Sequence, residues 1–202
     1  GIDTDIYTPD DTPPQPRTVV QVARLQPIKN QDVLIGAVAT LPDARAIIVG
    51  DVPDGEDRAY ADQLREQAIP LGARVQFTGG LPAAAVREAY RRAWVAVNLS
   101  PPGLFDKAAL ESMACGVPTL VSNETFRPVL ADAADLLLLP HDVDPPTLAE
   151  RLETLFAMTT EQRRALGLQL SERVRQQHSL DALLPRIAQV LQQADPRSAI
   201  IN

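Results

Sequence analysis

Apolar runs of strand length alternate with helical segments along most of this chain. The runs are rich in Val, Ile and Leu, and their apolar residues stand at consecutive positions rather than at every second one. Strands of this composition are typical of parallel sheets that helices cover on both faces. We therefore predict a doubly wound α/β domain built on a six-stranded parallel sheet. The six runs are TVVQVAR, ARAIIVG, RVQFTG, WVAVNL, VPTLVS and ADLLLLP.

Helix-forming segments connect these strands and continue to the end of the domain. The helices predicted between strands lie at about residues 30–41, 57–68, 83–92, 107–115 and 124–131. Asp144, Pro145 and Pro146 provide a cap and a first helical turn, and the segment after them is predicted to be wholly helical. Its helices are expected at about residues 147–157, 160–177 and 180–193. The last one carries leucines and Ile187 at helical spacing, so one face of it must cover an apolar surface.

The two ends of the chain differ in composition from this predicted domain. Residues 1–17 are polar, acidic and rich in proline, which is typical of a linker. Residues 18–194 form the predicted domain, and residues 195–202 are expected to fray. Because the chain begins with Gly1 rather than Met, we interpret it as a processed chain or an excised fragment.

The loops after the strands are expected to gather at one rim of the sheet. In open parallel sheets, ligands bind outside the carboxyl ends of the strands. Glycines stand at several of these ends, where the backbone must turn sharply or let a ligand approach. They are Gly50, Gly79, Gly80 and Gly103. The predicted rim consists of residues 24–29, 50–54, 79–81, 100–106 and 122–124.

The segment 98–116, NLSPPGLFDKAALESMACG, contains most of the functional signals. Asp106 is a good N-cap for a helix that ends before Gly116. The N-terminus of such a helix presents unpaired amide groups and a positive dipole end, which favour an anion. The positive charge of Lys107 in the first turn of this helix is therefore unfavourable by roughly 0.3–1 kcal/mol unless an anion offsets it. We take this as an indication of a bound phosphate.

Glu111 stands on the same helix among apolar residues. A carboxylate that is buried there needs a partner. Two interpretations remain open at this point: an i, i+4 pair with Lys107, which is the less favourable orientation, or acceptance of hydrogen bonds from the vicinal diol of a ribose.

Lysine is rare in this chain, and both lysines fall in predicted rim loops. Of the 19 basic residues, all are arginine except Lys29 and Lys107. Arg24 and Lys29 leave the first strand close together, and with Lys107 they could neutralise a diphosphate. The alternative for Arg24 and Lys29 is an ordinary solvated loop.

Several other site types lack support in the sequence. No GxGxxG follows the first strand and no GxxxxGK[ST] is present, so a nicotinamide, flavin or P-loop site is not expected. His141 and His178 are far apart, and the Asp142–Asp144 pair is better explained by helix capping, so no metal is expected. Ser100 has no GxSxG context that would make it a nucleophile. Cys115, the single cysteine, is expected to be a small core residue.

The overall charge and hydropathy limit the partners and the compartment. The net charge of −7 argues against nucleic acid as the main partner. No apolar run approaches the length of a membrane span, and no charged-then-apolar leader opens the chain. We therefore expect a cytoplasmic protein.

The ordered set of segments resembles a known family. GIDTDIYTP, VARLQPIKN, IIVGD, VQFTGGLP and LESMACGVPTLVS are similar, in this order, to the C-terminal, donor-binding domain of retaining glycosyltransferases with the GT-B fold. That family includes sucrose synthases and many bacterial mannosyl- and glucosyltransferases. The resemblance implies one Rossmann-like half of a GT-B enzyme, with residues 1–17 as the interdomain linker.

The resemblance also implies roles for particular residues. Arg24 and Lys29 would contact the diphosphate of a UDP-, GDP- or ADP-sugar, with Lys107 as an additional phosphate contact. Glu111 would hold the ribose hydroxyls. Base or backbone contacts would come from Gly50, Gly79, Gly80 and Leu81, and the donor-sugar loop would consist of Gly103, Leu104, Phe105 and Asp106.

One position departs from the family pattern. The family usually has two glutamates separated by seven residues; the second is Glu111 here, but Gly103 stands at the first. That glutamate normally touches the transferred sugar. The GLFDK loop resembles a subgroup with glycine at this position followed by Asp-Lys, which favours a functional variant.

The function implied is transfer of a hexose to an unknown acceptor, with no tightly bound cofactor. The acceptor site would lie on an N-terminal domain that this chain lacks, so the chain alone is expected to bind nucleotide without transferring sugar. Any peripheral association with a membrane would come through that domain. The alternatives are a non-catalytic nucleotide-binding or assembly domain with the same half-fold, and an epimerase-type GT-B enzyme.

Overall fold

A parallel sheet whose first strand lies at its centre organises the molecule. The structure is a computed structural model that describes residues 1–53, 55, 58–103 and 106–194. All strand pairings within the sheet are parallel. The order is β3-β2-β1-β4-β5, so the winding reverses between β1 and β4. The strands are Thr18–Val22 (β1), Arg45–Val49 (β2), Val75–Gly79 (β3), Val95–Asn98 (β4) and Thr119–Val121 (β5).

Helices follow the strands as the alternating pattern predicts. The helices that connect strands are Gln31–Thr40 (α1), Ala59–Ala68 (α2), Ala83–Arg92 (α3) and Lys107–Ala114 (α4). Those after β5 are Arg127–Leu130 (α5), Ala134–Leu137 (α6), Pro145–Phe156 (α7), Thr160–His178 (α8) and Leu180–Ala194 (α9). Short 3-10 turns occupy Pro27–Lys29, Ile69–Arg74, Glu124–Phe126 and Ala131–Ala133. No helix in the described ranges combines the length and the apolar character needed to cross a membrane.

The two faces of the sheet are both covered, as consecutive apolar residues in the strands predict. In β1, Val19 belongs to a core cluster with Leu34 of α1, and the next residue, Val20, belongs to a second cluster with Tyr90 of α3. Successive side chains of a strand point to opposite faces, so these clusters lie on opposite sides of the sheet. The doubly wound α/β prediction is confirmed.

The prediction of a sixth strand is wrong, because the described part of the chain contains a five-stranded sheet. The run ADLLLLP begins as helix α6, and Leu138 donates its N–H to the Ala134 carbonyl in helical fashion. Only Leu138 then makes a single parallel bridge to Val121. Pro140 follows, and it has no N–H with which to continue a ladder. Two of the leucines, Leu137 and Leu139, are nevertheless buried in the core without forming a strand.

Residues 1–17 lie along the domain although their composition is that of a linker. Ile2 is buried, donates its N–H to the His178 carbonyl at 2.7 Å and accepts from Leu180 N–H at 2.9 Å. The Tyr7 ring meets the Tyr90 ring edge to face at 6.5 Å. Backbone pairing therefore attaches this segment at the junction of α8 and α9, and an aromatic contact attaches it to α3.

Helix α8 sets the positions of α4 and β4. At Gly167, a Cβ atom would lie 2.0 Å from the Gly116 carbonyl oxygen, so the α8 backbone touches the loop that ends α4. Ser171 donates to the Ala114 carbonyl at 2.8 Å. The buried guanidinium of Arg163, a residue of α8, donates to the carbonyls of Ala93 and Trp94 at 2.8 Å each, just before β4.

Candidate functional site

A cavity of about 590 Å³ opens at the carboxyl ends of β1 and β2 and beside the N-terminus of α4. The reversal of winding between β1 and β4 separates the loops there and leaves a crevice, as in other doubly wound sheets. The residues singled out from the sequence that line it are Arg24, Lys29, Gly50, Gly80, Leu81, Asp106, Lys107 and Glu111. A smaller cavity of about 50 Å³ beside Arg91 and Arg163 has no room for a nucleotide.

Four further residues were predicted from the sequence: Gly79, Gly103, Leu104 and Phe105. Gly79 and Gly103 are not among the residues that line the cavity. Leu104 and Phe105 lie outside the described residues. Asp51 and Val52, which belong to the predicted rim segment 50–54, also line the cavity, and so does Val86, which was not predicted. Asp51 and Val52 directly follow a predicted strand end, which is a usable signal, whereas nothing in the sequence marks Val86, one turn into α3.

Two buried glutamines hold the basic loop that carries Arg24 and Lys29. Gln21, on β1, donates its side-chain amide to the Lys29 carbonyl at 2.7 Å, and Gln31, at the start of α1, donates to the Arg24 carbonyl at 2.9 Å. Asn30 takes up a left-handed conformation and donates to the Leu99 carbonyl at 2.8 Å. The loop is therefore fixed at both ends and tied to the end of β4. These supports were not predicted from the sequence, although a glutamine inside a buried strand is a signal.

Arg24 presents its charge at the cavity. Its side chain is exposed, and its guanidinium makes no hydrogen bond or ion pair with another described residue. An arginine that is not engaged in the protein keeps its planar set of donors for an anionic ligand.

Lys29 is paired with an acid from the other side of the crevice. Its Nζ donates to Asp106 Oδ2 at 2.6 Å and to Ser100 Oγ at 3.0 Å. Asp106 also caps α4, because its Oδ1 accepts the Ala108 N–H at 3.2 Å, as the sequence predicts. Burial alone would raise the pKa of Asp106, but hydrogen bonds from Lys29 and Asn98 and the Lys29 charge lower that pKa below its usual value. Asp106 is therefore ionised at neutral pH.

Glu111 lies one turn further along α4, facing the cavity. Its carboxylate is half-buried and forms no hydrogen bond or ion pair with the residues that the structure describes. Burial raises the pKa of Glu111, the negative charge of Asp106 raises it further, and Lys107 partly offsets both. Lys107 is exposed and forms no ion pair with Glu111. A half-buried acceptor and an unpaired cation thus stand on one helix at the cavity.

Tyr90 supports α4 from below. It is fully buried and donates its hydroxyl to the Ala108 carbonyl at 3.1 Å, in the first turn of α4. Cys115, at the end of α4, is buried in the same cluster, as expected of a core residue. Desolvation raises the pKa of its thiol to about 12.

Gly50 joins the loops that form the floor of the cavity. It has φ +140°, and a Cβ atom there would lie 1.9 Å from the Ala23 carbonyl oxygen. Its N–H donates to the Gly79 carbonyl at 2.9 Å. Gly50 therefore allows the ends of β1, β2 and β3 to meet, and Gly79 takes part through its backbone rather than by lining the cavity. Within the described ranges, no group of three or more His, Cys, Asp or Glu side chains is placed to hold a metal ion.

Comparison with known proteins gives this architecture a family. The family model described as "Glycosyl transferases group 1" matches residues 7–173. The chain belongs to the glycosyl transferases group 1 family. Among curated members, a D-inositol 3-phosphate glycosyltransferase from Mycolicibacterium gilvum is 30% identical over 195 residues, covering 91% of this chain and 44% of the relative. The Mycolicibacterium smegmatis protein of the same name is 30% identical over 199 residues, covering 91% of this chain and 45% of its own length.

Solved structures of glycosyltransferases share the fold. Sucrose-phosphate synthase from Thermosynechococcus elongatus superposes with a TM-score of 0.82 at 25% identity, over 96% of this chain and 51% of that one. Anabaena Alr3699/HepE in complex with UDP-glucose gives a TM-score of 0.81 at 24% identity, over 96% of this chain and 56% of its own. The expected likeness to the GT-B glycosyltransferases is confirmed. The chain spans less than half the length of these two curated relatives.

Proposed function

We propose that this domain binds the nucleotide-diphospho-sugar donor of a hexosyltransferase in the cavity between β1, β2 and α4. The observation that carries the proposal is the convergence of Arg24, Lys29 and Lys107 with the unpaired Glu111 carboxylate around that cavity. These residues come from two segments far apart in the sequence, the loop after β1 and helix α4, and together they offer cations for a diphosphate and an acceptor for a diol.

The diphosphate lies at the N-terminal end of α4 in this proposal. Arg24 and Lys107 are exposed and without ionic partners among the described residues, so both can turn to phosphate oxygens. The dipole of α4 adds a partial positive charge at the same end. The anion also offsets the unfavourable position of Lys107 in the first turn of the helix.

The nucleoside extends from the diphosphate along the cavity. Glu111 accepts hydrogen bonds from the two ribose hydroxyls, which supply the partners that its carboxylate lacks in the protein. Gly80 and Leu81 flank the base; Gly80 has open space where a side chain would project, so a flat ring can lie close to the backbone.

Transfer of the sugar requires the whole protein. No residue of this chain is assigned a catalytic role, and the acceptor site is proposed to lie on a domain outside it. We propose a retaining transfer of a hexose, with the donor-sugar loop at residues 103–106. The domain alone is expected to bind the donor without transferring sugar.

Calorimetric titration tests the proposal. UDP is the first ligand to try, because the Anabaena protein of the same fold was solved with UDP-glucose, and GDP and ADP follow. Glu111→Ala and Lys107→Ala should each weaken nucleotide binding by about 1–3 kcal/mol, since each removes a charged hydrogen bond. Glu66→Ala, an exposed glutamate on α2, is the matched control and should leave affinity unchanged. If none of the three nucleotides binds at millimolar concentration, the proposal is wrong.

A second candidate function, nucleotide binding without transfer, is favoured by one feature. Gly103 stands where members of the family usually carry the glutamate that contacts the sugar. The two candidates differ in the full-length protein: binding of the nucleotide-sugar without release of free nucleotide in the presence of acceptors supports the non-catalytic role. An epimerase-type enzyme would instead change the sugar of the bound donor.

A further inference from the structure

Contacts within the protein fix the position of the Lys29 ammonium group. Its side chain is only 12% exposed, and its Nζ lies 2.6 Å from Asp106 Oδ2 and 3.0 Å from Ser100 Oγ. A lysine side chain is usually flexible and loses rotamer freedom when it binds an anion. Here that freedom is already removed by contacts within the protein.

The two oxygens leave part of the ammonium group available. A lysine ammonium has three N–H donors. Asp106 and Ser100 take two of them, so one remains, and Lys29 lines the cavity proposed for the diphosphate. The remaining donor is therefore the one that a phosphate oxygen would meet.

Asp106 is itself fixed from several directions. Its Oδ1 accepts the Ala108 N–H of α4, and its Oδ2 accepts from the Ser100 hydroxyl at 2.9 Å as well as from Lys29. Ser100 is fully buried, and its carbonyl accepts the Ser122 hydroxyl at 3.1 Å. A chain of hydrogen bonds thus connects the ends of β4 and β5 to the Lys29 ammonium. Such a network gives a donor a fixed direction before the ligand arrives.

We propose that Asp106 is a positioning residue for donor binding: it holds the Lys29 ammonium so that one N–H points to the diphosphate. The inference rests on the proposed function and deepens it by explaining an acid at an anion site. Asp106 acts through Lys29 and does not touch the nucleotide.

If Asp106 acted only by repelling the phosphate, replacing it would have the opposite effect on nucleotide affinity. A carboxylate near a phosphate repels it, so an Asp106 that merely occupied the site would weaken binding, and its neutralisation would strengthen it. A positioning Asp106 has the opposite consequence, because its neutralisation releases the Lys29 side chain. The direction of the change in affinity therefore separates the two.

The experiment is a double-mutant cycle read by calorimetric titration of UDP. Asp106→Asn keeps a capping oxygen for Ala108 N–H, because Asn is as good an N-cap as Asp, and it replaces the charged oxygen that accepts from Lys29 with a neutral amide NH2 group. We expect Asp106→Asn to weaken UDP binding about 5- to 20-fold and Lys29→Met to weaken it at least as much. In the Lys29→Met background, Asp106→Asn should cause no further loss, since there is no ammonium left to position.

Controls keep the outcome interpretable. Asp135→Asn, an exposed aspartate on α6, should leave UDP affinity unchanged. Thermal unfolding of each variant checks that the domain remains folded. Unchanged or tighter UDP binding in Asp106→Asn overturns the positioning role, and so does an equal loss with and without Lys29. A parent domain that binds no nucleotide would instead overturn the proposed function itself.

Discussion

Glu111 shows how a residue of the candidate site can lower stability at the scale of a single side chain. Its half-buried carboxylate has no hydrogen-bond partner among the described residues, and its pKa is raised by burial and by Asp106. The Glu111 carboxylate therefore binds a proton more tightly in the folded protein than in the unfolded chain. Burial of the ionised carboxylate destabilises the folded protein fully when the pH is above the folded-state pKa of Glu111, and not at all when the pH is below its unfolded-state pKa.

Replacing Glu111 by Gln should stabilise the domain in a pH-dependent manner. We expect Glu111→Gln to raise the unfolding temperature at pH 7–8 by about 1–3 °C, because a neutral amide of the same shape is less costly to bury than a carboxylate. The gain should shrink as the pH falls and disappear below about pH 4, where the glutamic acid is protonated in both states. Calorimetric unfolding scans across this range measure the difference. Equal gains at pH 4 and pH 8 would contradict the assignment, and Glu66→Gln provides the exposed control.

Individual residues of the candidate site were predictable from the sequence where their environment is local. Lys107 and Glu111 were identified from their positions on one helix, and Asp106 as the cap of that helix, since caps depend on adjacent residues. The ion pair of Asp106 with Lys29 was not predicted, because it joins residues that are far apart in the sequence. The supporting role of Gln21 was missed for the same reason.

At the scale of elements, strand and helix types followed from the hydrophobic pattern, and the boundaries followed from capping residues. Helix α3 has the predicted bounds, Ala83–Arg92, whereas α2 begins at Ala59 rather than near residue 57. The prediction of a sixth strand failed because a helical turn can bury a run of leucines as well as a strand can. Apolar runs of this length do not distinguish the two by periodicity.

The contact between α8 and the end of α4 allows a sharp test at this scale. Gly167→Ala should destabilise the domain by about 2–3 kcal/mol, because its methyl group would lie 2.0 Å from the Gly116 carbonyl oxygen and force the helices apart. Urea unfolding monitored by circular dichroism gives the free energy of unfolding. Gly80→Ala is the matched control: its methyl group meets open space, and a change of no more than about 0.5 kcal/mol is expected. Similar losses in both variants would show that α8 does not pack as described.

For the whole molecule, Cys115 offers a reporter of global opening that needs no engineering. The thiol is buried and its pKa is raised to about 12 by desolvation, so little of the reactive thiolate forms near neutral pH. We expect labelling by an aromatic disulfide reagent at pH 8 to be slow in the folded protein and fast in denaturing urea. If labelling requires unfolding, UDP at about ten times its dissociation constant should slow it roughly tenfold. Rapid labelling of the folded protein would contradict the burial of Cys115, and UDP should have no effect in denaturing urea.

The central place of β1 has a consequence for biosynthesis. Of the five strands of this sheet, β1 is synthesised before the others; it pairs on one side with β2, which follows soon after, and on the other with β4, which is made much later. The cavity needs the loops after β1 and β2 and also the first turns of α4. A nascent chain that ends before α4 lacks the complete cavity, so a ligand of the proposed site would stabilise the finished domain but could not guide its earliest folding steps.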